Sequence, residues 1–189
     1  MTNIPTSNER TFQGKLWYLI NNILASTDHY NFKEILQEQN IGVDDARFAD
    51  GLLYSSKDVS KKVLFELKDS SSDATDEKLV YDAMMKAFNR GYEYFVTGTP
   101  RQLVIYQTFR ADTTLHDRKL KIYDISTIRK NTEALTPFFE KQAVPQLKIF
   151  LNDLDDLVHG TRAIQWDTID RFFVKKLSAY ILEGSTRNG

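Results

Sequence analysis

Within the stretch FADGLLYSSKDVSKKVLFELKD, from Phe48 to Asp69, stand three residues of the types and spacing that hydrolytic chemistry needs: Asp50, Glu66 and Lys68. Carboxylates are hard oxygen ligands, and two of them can hold Mg²⁺ while the ion's remaining positions keep water and accept a phosphate oxygen. An amine beside them can orient the attacking water, lower its pKa, or offset charge that develops on a phosphate. Two acids and an amine at one point therefore suit metal-assisted phosphodiester hydrolysis. A Glu and a Lys two positions apart are also common as plain solvated neighbours on the wet face of a strand, so the elements around them have to decide.

Those elements read as a hairpin. Two apolar runs flank a charged turn near Lys57 to Val59. Successive strand residues face opposite sides of a sheet, so Leu64, Glu66 and Lys68 share one face while Val63, Phe65 and Leu67 share the other. One face is expected to be core and the other to carry charge. A hairpin folded at that turn sets the start of its first strand beside the end of its second, which places Asp50 opposite Glu66 and Lys68.

Downstream, the polar stretch SSSDAT leads into a helix whose apolar stripe is Leu79, Val80, Ala83, Met84, Ala87 and Phe88, closed by Gly91. Tyr92 to Thr97 and Gln102 to Phe109 read as two more strands about a turn at Gly98 to Pro100, and Lys119 to Ile125 as a further one. The order strand, strand, helix, strand, strand, with Asp50 on one strand and Glu66-x-Lys68 on the next, resembles the PD-(D/E)XK nuclease superfamily. Ala49 stands where a proline often precedes the acid. Within that superfamily the chain is similar to the N-terminal endonuclease domain of restriction-modification enzymes, either the restriction subunit of type I systems or the fused type IIG enzymes.

The resemblance implies an α/β (α+β) fold with a restriction-endonuclease-like mixed central sheet flanked by helices and a C-terminal helical extension. It implies a Mg²⁺-dependent deoxyribonuclease, with Mn²⁺ as a substitute ion, acting on double-stranded DNA beside further restriction-modification domains or subunits. Asp50, Glu66 and the carbonyl of Leu67 would hold the metal, and Lys68 would position the hydroxide. It also implies a supporting acid on the helix before the first strand. Glu9 is the candidate there, with Glu34 and Glu38 as competitors, although an acid in a first turn also complements the helix dipole. The Gln-x-x-x-Tyr pattern of many restriction nucleases is not reproduced: Asp82 and Lys86 fill its positions and read as an exposed i,i+4 pair. The stretch ending in Thr97 resembles the family's Tyr-x-x-x-Thr-Asn-Gly segment, with Gly98 in place of asparagine. Two other classes stay open, a catalytically inactive nuclease fold used for DNA binding or subunit assembly, and a plain interaction domain.

Composition narrows the rest. The chain has 189 residues and no cysteine, which excludes disulfides and thiolate metal sites, and its three histidines are scattered, so any metal is expected to be oxygen-bound. A net charge of −1 argues against DNA binding by bulk positive charge. Basic clusters such as Lys61/Lys62, Arg118/Lys119/Lys121, Arg129/Lys130 and Lys175/Lys176 could touch phosphates, with a solvated face as the default. No apolar run approaches a membrane span and the first ten residues lack a secretory hydrophobic region, so a cytoplasmic location is expected.

Toward the N-terminus, Phe12, Leu16, Leu19, Ile20, Ile23 and Leu24 recur at helical spacing. Asn31 to Gln39 reads as a second, shorter helix with Phe32, Ile35 and Leu36 inward, and Asp44 and Asp45 as a turn. In the last third a helix is expected to begin at Pro145 and to end at His159-Gly160, followed by another through Trp166, Ile169, Phe173, Leu177 and Tyr180. The domain expectation is a nuclease-like core over 1–126 and a helical extension or linker over 127–189, ending in the linker-like EGSTRNG.

Overall fold

A computed structural model describes residues 7–37, 49–110 and 113–160. Helix α1 (Ser7–Ala25) opens the chain. Strands β1 (Phe32–Leu36), β2 (Gly51–Ser55) and β3 (Lys62–Leu67) follow, then helix α2 (Glu77–Asn89). Strands β4 (Tyr94–Gly98), β5 (Gln102–Gln107) and β6 (Lys119–Asp124) complete the sheet, and helix α3 (Pro137–His159) follows a short 3₁₀ turn at Asn131–Leu135. The six strands lie in sequence order. All neighbours are antiparallel except β3 and β4, which run parallel because α2 carries the chain back across one face.

Helices cover both faces, as expected of a sheet flanked by helices, and the face that carries the charge of Glu66 is buried under α2. Val63, Phe65 and Leu67 of β3 join α1 and α3 in the larger core, while Leu64 joins Val80, Ala83 and Ala87 of α2 in a smaller one. Glu66, on the α2 side, is only 7% exposed. A sheet buried on both sides reads as a near-continuous apolar run, and VLF inside KVLFEL is such a run.

α1 buries its Phe12, Leu16, Leu19, Ile20, Ile23 and Leu24 as its periodicity predicts. The helix expected over Asn31 to Gln39 does not form in its described residues, 31–37. Its Phe32 to Leu36 is the edge strand β1, and a register shift between Phe32 and Glu34 explains the misleading pattern. Three positions apart would put Phe32 and Ile35 on opposite faces of a regular strand; the irregularity turns both into the larger core, where each is buried. Leu36 is exposed.

α3 starts eight residues before Pro145. Thr136 caps it, accepting from the Phe139 N–H, and Pro137 takes the first turn where its missing N–H costs nothing. Pro145 lies inside the helix and removes one backbone bond. Burial of Phe139, Ala143, Leu147, Phe150, Leu151, Leu154 and Val158 in the same core as α1 offsets that loss. At its end His159 Nε2 lies 2.9 Å from Ser55 Oγ and Nδ1 2.8 Å from Asp155, so this histidine ties α3 to β2. The helix expected through Trp166 to Tyr180 lies outside the described residues, as do Glu38, Asp44 and Asp45. Among the described residues no helix is long and apolar enough to cross a membrane.

Candidate active site

β2 and β3 pair Gly51 with Phe65 and Leu52 with Leu64. Continuing that register by one residue sets Asp50 across from Glu66, and the Asp50 N–H donates to the Phe65 carbonyl at 3.1 Å. Directly opposed residues share a face, so both carboxylates lie on the α2 side, at the end of β3 where the small core gives out. Two backbone contacts hold the corner. The Leu67 N–H donates to Asp50 Oδ2 at 2.6 Å, and the Lys68 N–H donates to the Gly98 carbonyl at 2.8 Å. Gly98 is where β4 comes closest: a Cβ there would lie 2.5 Å from Leu103 and 2.8 Å from Leu67, which accounts for glycine at that position.

Burial dominates the electrostatics. Desolvation raises the Asp50 pKa, opposed by the Leu67 N–H and by the charges of Lys86 and Lys68. Glu66 is pushed up to about 7, first by desolvation and then by the negative charge of Asp50, against the pull of Lys86 and Lys68. Two carboxylates in one dry corner cannot both ionise freely. Lys68 thus lies within electrostatic reach of both acids, and the three residues singled out by type and spacing do converge.

Two further residues complete the corner. Lys86 of α2 places Nζ 2.7 and 2.6 Å from the two oxygens of Glu66, with both side chains 10% exposed. This corrects the reading of Lys86 as half of an exposed pair with Asp82. Its position was visible in principle, because residue 86 falls seven after Leu79 and beside Ala83 and Ala87 on the buried stripe. Gln13 of α1 is 3% exposed and close enough to Asp50 to favour its charged form. The amide acts on Asp50 from its donor end, Nε2, which is buried and lies outside strict hydrogen-bond geometry. A lone amide between Phe12 and Leu16 on an apolar stripe was the available signal. Glu9 lies in the first turn of α1, and its side chain is outside the described residues. Glu34 stands across from Tyr54, toward the other end of β2 from Asp50, and pairs with Lys33 at 3.1 Å.

Buried Thr97 pairs with Glu66 across β3 and β4 and donates to the Ala74 carbonyl at 2.5 Å, fastening the loop before α2 to the sheet. Some of the basic residues that could have met phosphates are engaged internally: Lys61 Nζ donates to the Val158 carbonyl at 2.8 Å, Arg118 to the Thr108 carbonyl, and Lys121 to Asp153.

No family model and no curated protein matches the chain. Several solved structures overlap with it. A presumed nuclease belonging to DUF820 from Anabaena variabilis aligns at a TM-score of 0.45 and 10% identity, over 78% of this chain and 86% of that one. The type IIG restriction endonuclease BpuSI aligns at 0.47 and 11%, over 81% of this chain and 18% of its own. DrdV, in a complex with DNA, aligns at 0.40 and 15%, over 77% of this chain and 12% of its own. The mixed six-stranded sheet, flanked by α1, α2 and the C-terminal α3, makes an α+β fold with a mixed central sheet between helices. The chain spans less than a fifth of BpuSI and of DrdV.

The donor set fits a hard divalent cation. It is all oxygen, and its carboxylates repel one another where a positive charge would relieve them. Among the described residues no group of three or more His, Cys, Asp or Glu side chains converges. Two carboxylates with the remaining positions left to water and phosphate is the way Mg²⁺ is commonly held, rather than an all-protein cage.

Proposed function

We propose that this chain is the nuclease domain of a restriction-modification system and hydrolyses phosphodiester bonds of double-stranded DNA with Mg²⁺, or Mn²⁺ in its place. The observation that carries the reading is the burial of Asp50 opposite Glu66, with Lys68 in reach of both. Asp50 and Glu66 would hold the ion. The Leu67 carbonyl is a third donor, since residues of an extended strand turn N–H and C=O toward the same neighbour and the Leu67 N–H already faces Asp50. The ion, when bound, supplies positive charge to the phosphate and acidifies water.

The chain's own residues do the rest. Lys68 orients the attacking water and offsets the charge gathered on the phosphate in the transition state. Leu67 and Gly98 keep the ends of β3 and β4 in register, so that Lys68 stays beside the acids. Gln13 fills the place on the opening helix from which the resemblance expects an acid, and its uncharged amide can accept or donate toward the same point. Further domains or subunits would supply target recognition, in keeping with the chain's net charge of −1.

The ion pair between Lys86 and Glu66 favours a second reading, a nuclease fold retained for DNA binding or assembly without cleavage. Incubating purified protein with plasmid and Mg²⁺ or Mn²⁺ separates the two. Cleavage is expected in the wild type and absent in Asp50→Ala and Glu66→Ala. Lys68→Ala should lose about 10²- to 10⁴-fold in rate, the range for a positioned proton-handling group. Metal-dependent cleavage that persists in Glu66→Ala, or wild-type speed in Lys68→Ala, rejects these roles; plasmid shifted on a gel but never cut supports the second reading.

A further inference from the structure

We infer that Lys86 is an internal cation that latches Glu66 and must move aside before Glu66 can ligate a divalent ion. The inference rests on the metal-dependent reading above and adds to it a control on when the site is armed. Its basis is geometric. The Lys86 ammonium lies almost equally far, 2.7 and 2.6 Å, from both oxygens of one carboxylate, so it straddles the outer edge of Glu66. A carboxylate presents its best lone pairs to a metal along that edge, and Mg²⁺ bound there sits about 2.0–2.1 Å from oxygen. An ammonium and a dication cannot occupy that space together, because the charges repel and each needs the same lone pairs.

The surroundings fit a displaceable group. Lys86 lies in the last turn of α2, flanked on the stripe by the small side chains of Ala83 and Ala87. Its four-carbon stem is flexible and its ammonium is a compact charge that re-pairs readily, unlike the fixed fork of an arginine. The helix that carries it is pinned at the other end, where Asp76 caps the N–H groups of Lys78 and Leu79 and Thr97 holds the Ala74 carbonyl. Lys86 can therefore swing without unseating α2.

The test compares Mn²⁺ affinity, read by titration calorimetry or by loss of the free-ion electron paramagnetic signal, in full-length wild type, Lys86→Met and Lys86→Met with Glu66→Gln. Methionine keeps a linear stem and removes the charge. Lys86→Met is expected to bind Mn²⁺ about tenfold tighter or more, and the double variant to lose binding. Equal or weaker binding by Lys86→Met, while wild type binds, overturns the latch and leaves the metal-dependent reading standing. No Mn²⁺ bound by either protein overturns both. If Lys86→Met fails to fold, the lysine signals of the wild type decide: Mg²⁺ should move one slow, shifted side-chain resonance, missing in Lys86→Gln, toward the exposed lysines, and a resonance unmoved at saturating Mg²⁺ rejects the latch.

Discussion

The two faces of the sheet are built to different ends, and neighbouring residues of β3 show how. Phe65 faces α1 and α3, where Trp17 and Phe150 meet its ring edge-on at 5.5 and 6.0 Å within the larger hydrophobic core. Glu66 faces α2, a helix of 13 residues that buries little beyond Leu79, Val80, Ala83 and Ala87 and leaves a dry corner holding Asp50, Glu66 and Lys86. One face supplies the stability that the other gives up. Desolvated acids are unfavourable in the folded chain, and under the proposed function they are kept for their chemistry, which is where a sequence departs from the best packing.

The largest effect should come from the apolar face. Phe65→Ala removes a fully buried ring that touches both long helices, and a loss of about 3–5 kcal/mol is expected in denaturant unfolding. The contrast between faces breaks if the loss is under about 1 kcal/mol, the value of a half-exposed ring.

The charged face should reveal itself through pH. Glu66 has its pKa raised from 4.5 to about 7 in the fold, and Asp50 moves in the same direction. Between those values the folded chain holds a proton that the unfolded chain has released. The associated stability is fully present below pH 4.5 and is lost as pH rises through about 7. At 1.36 kcal/mol per unit the fall amounts to about 3 kcal/mol at most. Asp58, Asp69, Asp73 and Asp117 have lowered pKa values, so their contribution is lost only on acidification below the ordinary carboxylate range and leaves this window alone. Unfolding midpoints measured without metal from pH 5 to 8 should decline in the wild type and stay nearly level in Glu66→Gln, and Mg²⁺ should recover the loss at pH 8. A wild-type profile as flat as the variant's would mean that Glu66 ionises without cost.

This division was partly legible in the sequence. Alternation in KVLFEL, a turn and one acid at the start of the preceding strand sufficed to bring Asp50 to Glu66, because antiparallel register follows from the turn once the strands are known. Lys86 was read as half of an exposed pair with Asp82 and Gln13 was passed over, since the partners that give each its role, Glu66 and Asp50, lie far along the chain. β1 was mistaken for a helix because a strand irregularity gave Phe32 and Ile35 helical spacing. Pro145 was taken for a helix start because tertiary burial, which overrides the cost of an interior proline, leaves no local mark.

Phe88 supplies the smallest effect and the sharpest control. Periodicity assigned it to the buried stripe of α2, yet it is 55% exposed and pairs with the half-exposed ring of Phe109, at 5.6 Å and 44°. Helix α2 is narrow on its inward side because the corner beneath it is given to Lys86 rather than to another large apolar group. The same substitution made at Phe65 can therefore be made here on the opposite face: Phe88→Ala should cost about 0.5–1 kcal/mol, the value of one exposed aromatic pair. A loss near that of Phe65→Ala would show that the Phe88–Phe109 pair anchors α2. The helix would then depend on its outer edge for attachment, and the corner at Glu66 would be held from outside rather than by its own ion pair.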